Sequence, residues 1–230
     1  MQRVPATLQL MAASLIIGIG IGLPFGVLSA IRPYSTLDYV LTFFTMIMIS
    51  VPTFFMGLLV IYLFGVNLRL LPTSGMTTLG AASSPTDRLR HLILPAGILG
   101  LRYAALLLRY TRSSMLDVLG KEYLTTARAK GLRNRTVLSR HALRNALIPI
   151  ITVVGLLLPE LVGGAVITEQ IFAWPGMGFM AVRAAADRDP SMLMGVVLVV
   201  GTGVLLTNLL VDLAYGIADP RIRFDGRGAG

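Results

Sequence analysis

The sequence predicts an all-α membrane protein, a polytopic bundle of about five transmembrane helices. Two observations support this prediction. First, 55% of the 230 residues are hydrophobic and only 13% are charged, whereas about a quarter of the residues in a soluble domain are charged. Second, the chain contains several apolar runs that reach the ~20 residues a helix needs to cross a bilayer. The whole chain, residues 1–230, is therefore interpreted as a single membrane domain.

The first two spans are predicted at residues 8–31 and 39–68. The first is rich in glycine, so a neighbouring helix can approach its backbone closely. The second is 30 residues long and contains Pro52. Because a straight crossing needs only ~20 residues, we expect a kink or a tilt there. Residues 70–90, with their prolines, glycines and serines, are expected to form a loop outside the membrane.

The remaining spans are expected at residues 92–112, 146–168 and 190–211. A loop, residues 169–189, is predicted between the last two spans. It contains Trp174, the only tryptophan in the chain. Tryptophan is enriched at membrane interfaces, so interfacial anchoring is the default interpretation of this side chain.

Charged residues within the predicted spans are candidates for function, because a charge at the bilayer centre costs roughly 2.5–3.5 kcal/mol. Arg102 lies near the middle of the third span, so it faces either a wet path through the bundle or an ion-pair partner. Glu160 of the fourth span is the candidate partner, and Pro159 beside it makes that span deformable. Arg109 and Arg112 lie nearer the inner end, where their side chains can reach the headgroups.

A basic segment, residues 121–149, separates the third and fourth spans and carries seven of the 20 Lys and Arg residues. Its second half, residues 135–145, is a helical run that leads into the fourth span. A topology with five spans puts this segment, the C-terminus and Arg32 on the same side of the membrane. That side then carries eleven Lys and Arg residues, and the other side carries six. Lys and Arg accumulate in cytoplasmic loops, so the segment and the C-terminus are predicted to be cytoplasmic. Because the N-terminus would then lie outside, we expect that the functional protein has a further helix before it.

Within the basic segment, a helix of about ten residues is predicted from Glu122 to Gly131. Glu122 suits the positive N-terminal end of a helix, and Gly131 allows a left-handed C-cap. Tyr123, Leu124 and Ala127 share a face. So short a helix is marginal alone in water, and it therefore needs a surface to pack on. From composition, that surface is either a soluble partner or anionic lipid headgroups.

The sequence shows no enzymatic motif. It contains no phosphate-binding GxxxxGK[ST] loop, no GxSxG and no HExxH. It has no cysteine, and His91 and His141 lie 50 residues apart, so no metal site is predicted. We therefore expect a non-catalytic chain without a cofactor of its own.

The basic segment resembles the cytoplasmic EAA loop of the inner-membrane permeases of ABC importers, in the variant of the dipeptide, oligopeptide and nickel group. The matching stretches are YLTTARAKGL at residues 123–132 and RHALRNALIP at residues 140–149. Thr125 stands where the EAA triplet begins with Glu. Four further stretches match the same group: PTFF at 52–55, LPTSG at 71–75, TEQIFAWPGMG at 168–178 and DPRIR at 219–223.

This resemblance implies a B-type permease subunit that moves di- or oligopeptides across the cytoplasmic membrane. The implied partners are a homologous second permease, two cytoplasmic ATPase subunits that bind ATP and Mg²⁺, an extracytoplasmic substrate-binding protein and the lipid bilayer, without nucleic acid. B-type members begin with a further helix, in agreement with the topology argument. Two alternatives stay open: the same machine importing nickel, haem or glutathione, and a passive channel or membrane anchor.

The resemblance also implies site residues. Residues 113–145 form the EAA-like loop, which holds a coupling helix that sits in a cleft of the ATPase subunit. This helix contains nine implied docking residues: Glu122, Tyr123, Leu124, Thr126, Ala127, Arg128, Ala129, Lys130 and Gly131. The translocation path is expected to include Arg102, Pro159 and Glu160. An outer gate or a contact with the binding protein is expected at Glu169, Phe172, Trp174, Pro175 and Gly176.

Overall fold

The chain is a helical bundle in this computed structural model, without β-strands in the part that the structure describes. That part covers residues 3–78, 80 and 84–218, without the side chains of residues 128, 135, 148, 158–164, 210, 212 and 214–218. Among its helices, three are long and apolar enough to cross a membrane, or up to five when each of two bent helix pairs counts as one span. The predicted all-α bundle of about five spans is confirmed.

Two long helices form the centre of the bundle. They are α1 (Arg3–Ile31) and α4 (Pro85–Leu119), which pack along each other. A Cβ atom added to Gly22 would lie 2.8 Å from the carbonyl oxygen of Ala104, so this position tolerates only glycine at the present helix separation. The close approach predicted from the glycines of the first span is confirmed.

The N-terminal end of α4 differs from the prediction, because the helix begins seven residues before residue 92. Ser84 caps it: the backbone N–H of Asp87 donates to the Ser84 hydroxyl at 3.1 Å. Pro85 takes the first helical position, where its missing N–H costs nothing. The loop expected at residues 70–90 therefore ends at Ser84.

The second span is a bent pair of helices. α2 (Thr36–Ser50) precedes α3 (Thr53–Val60), which continues in wider, π-type turns through Ile61–Asn67. The two halves meet at an angle of 103°. The break falls at Pro52, which has no N–H to donate to the preceding turn. The kink predicted from this proline is confirmed.

The basic segment folds into short helices that lead into a long one. α5 (Glu122–Ala129) is followed by α6 (Asn134–Thr136) and by wider turns at Val137–Leu143. These turns run without a gap into α7 (Arg144–Ile171). Both helical runs predicted for this segment are therefore present.

The last two helices close the fold. α8 (Met177–Ala186) lies within the stretch predicted as a loop, residues 169–189, so that prediction was wrong. The Pro175-Gly176 turn signal hid a ten-residue helix that buries Met177, Gly178 and Ala184. α9 (Pro190–Ala218) follows as the last span and leaves most of its apolar surface uncovered by this chain.

Candidate functional site

The short helix α5 is anchored to the bundle by one side chain. Leu124 is fully buried, and it belongs to an apolar cluster. The cluster joins the C-terminal ends of α1 and α4 to the α6–α7 region, and its other members are Ala30, Met115, Val137, Ala142 and Ala146. Ala127 packs half-buried against the same cluster. A displacement of α5 therefore reaches three long helices directly.

The C-terminal end of α5 is fixed by Gly131. Its φ of 80° lies in the left-handed region, which residues with a Cβ adopt only at a cost. Here the backbone N–H of Leu132 donates to the carbonyl oxygen of Ala127 at 3.4 Å, the long bond of a Schellman motif. The predicted left-handed C-cap is confirmed, and so is the position of Glu122 in the first turn.

The opposite face of α5, called its free face, is exposed to solvent in the part of the chain that the structure describes. Most of the predicted docking residues that the structure describes with side chains are exposed there, namely Glu122, Tyr123, Thr126, Ala129, Lys130 and Gly131. The Tyr123 hydroxyl accepts a hydrogen bond from Nδ2 of Asn145 at 2.9 Å, which ties the edge of this face to α7. The side chain of Arg128 lies outside the described part.

Arg112 forms an ion pair rather than reaching the headgroups, so the expectation for this residue was wrong. Its guanidinium donates to both carboxylate oxygens of Asp38 at 2.7 and 2.8 Å. Asp38 also accepts hydrogen bonds from the Ser29 hydroxyl and, at 2.9 Å, from the backbone N–H of Tyr34. The pair thereby fastens α2 to α1 and α4 near the end that carries α5.

Arg102 contacts the broken second span. Its Nη1 donates to Oγ1 of Thr53 at 2.7 Å, one residue after the proline at the kink. The alternative partner, Glu160, and the neighbouring Pro159 belong to α7, but their side chains lie outside the described residues. The assignment of these three residues to a translocation path therefore stays a prediction.

At the other end of the bundle, Trp174 is fully buried rather than anchored at an interface. Its Nε1 donates to the carbonyl oxygen of Ala6 at 2.8 Å, and its backbone N–H donates to the carbonyl oxygen of Glu169 at 2.8 Å. The interfacial anchoring expected for this side chain was wrong, because it is buried in an apolar cluster with residues of α1, α4 and α7.

Glu169 is also fully buried, and donors from two other segments satisfy it. Thr7 Oγ1 donates to its Oε1 at 2.6 Å, while the backbone N–H of Phe179 donates to its Oε2 at 3.0 Å. Thr7 Oγ1 in turn accepts from the backbone N–H of Met177 at 2.8 Å. The carboxylate thus holds the start of α1 and the start of α8 against α7.

The other residues of the predicted outer gate, Phe172, Pro175 and Gly176, have little solvent-accessible surface. Phe172 is buried, and its carbonyl oxygen accepts a hydrogen bond from the backbone N–H of Gly75 at 2.8 Å. Gly176 is buried against Glu169, and a Cβ atom there would overlap the carboxylate. Pro175 is half-buried and Ala173 is exposed. The gate and the binding-protein contact stay predictions, and in this conformation Ala173 and Pro175 offer the accessible surface.

Sequence reasoning missed Thr7 and Asp38, although both hold charged or polar partners in place. A signal for Asp38 existed: it is an isolated acid at the start of a long uncharged run, and the third span carries arginines that need counter-charges. Thr7 carries no comparable signal, because its partners lie far away in the sequence.

The fold and this site define a multi-pass membrane protein with a short helix that is anchored to the ends of its spans on one face and free on the other. The sequence profile of the family described as "binding-protein-dependent transport system inner membrane component" matches residues 22–224. The chain belongs to this family, so it is a permease component of a transport system.

Curated relatives match nearly the whole chain. The oligopeptide transport system permease protein AppB of Bacillus subtilis (strain 168) is 48% identical over 224 residues, which are 97% of this chain and 71% of AppB. The dipeptide transport system permease protein DppB of Escherichia coli (strain K12) is 40% identical over 242 residues, covering 96% of this chain and 71% of DppB.

Solved structures share the fold. An inward-facing structure of the MetNI methionine ABC transporter matches with a TM-score of 0.76 and 19% identity, covering 95% of each chain. An amino acid ABC transporter matches with a TM-score of 0.69 and 13% identity, covering 93% of this chain and 91% of that one. At these identities the likeness shows the architecture of the bundle.

Proposed function

We propose that this chain carries di- or oligopeptides across the cytoplasmic membrane as the permease subunit of an ABC importer. The supporting observation is its similarity, over nearly its whole length, to permeases named for oligopeptide and dipeptide transport. These relatives give no support to import of nickel, haem or glutathione. Membership of a transport family likewise gives none to a passive channel or a membrane anchor.

The energy comes from partner subunits, and α5 receives it. The ATPase subunits bind ATP and Mg²⁺ and hydrolyse the nucleotide, while this chain is not itself an enzyme. The exposed face of α5 docks in a cleft of the ATPase subunit. Because Leu124 is enclosed by residues of α1, α4 and α7, closure of the ATPase dimer moves α5 and the attached ends of the spans together.

The assembly contains a second, homologous permease, two ATPase subunits and a substrate-binding protein. In this arrangement α5 and the C-terminus lie in the cytoplasm, and the end of the bundle that contains Trp174 faces outward. Arg102, with Pro159 and Glu160, contributes to the translocation path. The segment from Glu169 to Gly176 serves as the outer gate or meets the binding protein.

Two substitutions on α5 test the docking role. Thr126→Arg places a long charged side chain on the exposed face of α5, and Gly131→Asp strains the left-handed C-cap. Both are expected to abolish peptide uptake and to prevent co-purification of the ATPase subunits, while the chain stays in the membrane fraction. Ala186→Arg, an exposed position on α8 at the other end, is the matched control and should retain recruitment.

The proposal fails if ATPase subunits co-purify with both α5 variants as they do with the unmodified chain. A second measurement guards against misfolding: each variant must give the same size-exclusion profile in detergent as the control. If both variants lose recruitment and keep that profile, the loss belongs to the docking surface.

A further inference from the structure

A cavity with a mixed polar and apolar lining lies between α2 and α4 in the half of the bundle that carries α5. Its volume is about 570 Å³, within the range of roughly 300–1,000 Å³ typical of ligand pockets. α2 contributes Thr42, Thr45 and Ser50, and α4 contributes Ser113 together with three charged residues. The rest of the lining is apolar and comes from Met46, Ile49, Leu108 and Leu116, so the cavity offers polar and charged groups beside an apolar surface.

The charged residues of the cavity differ in how they are satisfied. Arg112 is held by both carboxylate oxygens of Asp38. Arg109, one turn earlier on the same helix, is exposed in the cavity and makes no hydrogen bond or ion pair with any residue that the structure describes. Asp117, also in the cavity, forms no ion pair within that same part of the chain.

Arg109 lies ten residues before the end of α4, which corresponds to roughly 15 Å along the helix axis. A charged side chain on a membrane-spanning helix normally faces a partner, a water-filled cavity or, near the end of the span, the headgroups. Arginine also presents its donors in a planar fork that matches a carboxylate in two-point contact. The geometry therefore suits a ligand that brings a carboxylate to Arg109.

We infer that Arg109 receives the C-terminal carboxylate of the transported peptide, and that this cavity is a station on the translocation path. Asp117 adds a carboxylate to the same cavity, so the cavity carries charges of both signs. Such a cavity suits a zwitterionic peptide better than a purely anionic ligand. Arg102 lies two turns away, roughly 10 Å along α4, and its described acceptor is the neutral hydroxyl of Thr53. It offers the carboxylate a second guanidinium further along the helix. The inference rests on the proposed peptide transport.

The test compares two tripeptides, one with a free C-terminus and one amidated, in proteoliposomes that contain the complete importer. For each variant we measure the ratio of uptake of the free to the amidated peptide. The binding protein is the same in every sample, so its own preference cancels when ratios are compared. Arg109→Gln should lower uptake of the free peptide about tenfold or more and have little effect on the amidated one. Arg109→Lys should give an uptake ratio between that of Arg109→Gln and that of the unmodified importer.

The control is Arg183→Gln, which removes an exposed arginine on α8 that lies 3.9 Å from Asp187. It should leave the ratio unchanged. Co-purification of the ATPase subunits should also be normal in Arg109→Gln, which would show that the importer still assembles. If the unmodified importer takes up no peptide, the proposed function itself has failed. If it does, and Arg109→Gln leaves the ratio unchanged, the inference is wrong and the proposed function stands.

Two further outcomes also contradict the inference. Equal losses for both peptides would assign Arg109 to a contact with the second permease. An effect that appears only in vesicles with anionic phospholipid, and not in phosphatidylcholine alone, would assign it to a lipid phosphate.

An independent measurement uses Ser113→Cys in this cysteine-free chain. A water-soluble methanethiosulfonate should label it in the assembled importer, and a peptide with a free C-terminus should slow the labelling; failure of either result overturns the inference.

Discussion

Two regions at opposite ends of this bundle, the segment around Trp174 and the short helix α5, hold their polar groups in opposite ways. At one end a buried group, the Trp174 cluster, consists of Thr7, Glu169, Trp174, Gly176 and Met177, and donors and acceptors of this chain satisfy its polar side chains. At the other end, the only fully buried side chain of α5 in the described part of the chain is the apolar Leu124, and the polar side chains of this helix that the structure describes are exposed.

The difference shows what each end contributes. A cluster satisfied from within fixes the relative positions of helices, because breaking any contact leaves a buried polar group unpaired. A short helix with a free face is marginal alone and is completed by a partner. Substitutions in the Trp174 cluster should therefore affect folding, whereas substitutions on the free face of α5 should affect assembly.

The largest effect on folding is expected from Gly176→Val. The added side chain would overlap the carboxylate of Glu169, which α1 and α8 hold in place. We expect a loss of monodisperse protein in fluorescence-detected size exclusion. The control is Gly20→Val, where an added Cβ has no neighbour within 4 Å. Normal folding of Gly176→Val would show that the cluster is not rigid.

A smaller effect is expected from Glu169→Gln. The amide offers one acceptor where the carboxylate accepts from both Thr7 and Phe179, so one buried donor loses its partner. This should lower the free energy of unfolding by about 1–3 kcal/mol, measured as a lower melting temperature in detergent. When Glu169→Gln is combined with Thr7→Val, the decrease in the free energy of unfolding should be smaller than the sum of the two single decreases, since both substitutions disrupt the same contact. Full additivity would contradict a shared network.

The smallest effect on folding is expected from Tyr123→Phe. Its hydroxyl accepts a single hydrogen bond, from Asn145 at the exposed edge of α5. We expect the free energy of unfolding to change by less than about 0.5 kcal/mol. Recruitment of the ATPase subunits is the sensitive measurement for this face. A large loss of stability would mean that α5 belongs to the rigid part of the bundle.

Local features of the fold were predictable from the sequence. The kink at Pro52 and the C-cap at Gly131 depend on residues within one turn of each, and both predictions were correct. α8 was missed for the converse reason. The Pro175-Gly176 signal indicates a turn, but α8 is stabilised by packing on distant helices that a local pattern does not contain.

Long-range pairs were not predictable from one sequence. Arg112 pairs with Asp38, 74 residues away, and Thr7 reaches Glu169 across 162 residues. Hydropathy also does not indicate which apolar face is covered. In the most apolar window of α4, 72% of the residues are buried by this chain, against 6% in that of α9. Both helices are spans by composition, and the difference in burial depends on which other helices of this chain pack against each of them.

In the proposed importer the free face of α5 lies in the cytoplasm and docks an ATPase subunit, and a single cysteine tests both statements. Thr126→Cys would be the only thiol of this chain, on the exposed face of α5, and Ala186→Cys serves as the control at the Trp174 end. We expect a membrane-impermeant maleimide to label Thr126→Cys in inside-out vesicles but not in intact cells, and bound ATPase subunits to block the labelling. Ala186→Cys should show the opposite sidedness and no such protection. Labelling of Thr126→Cys from outside the cell, or at the same rate with and without the ATPase subunits, would overturn the docking role of α5.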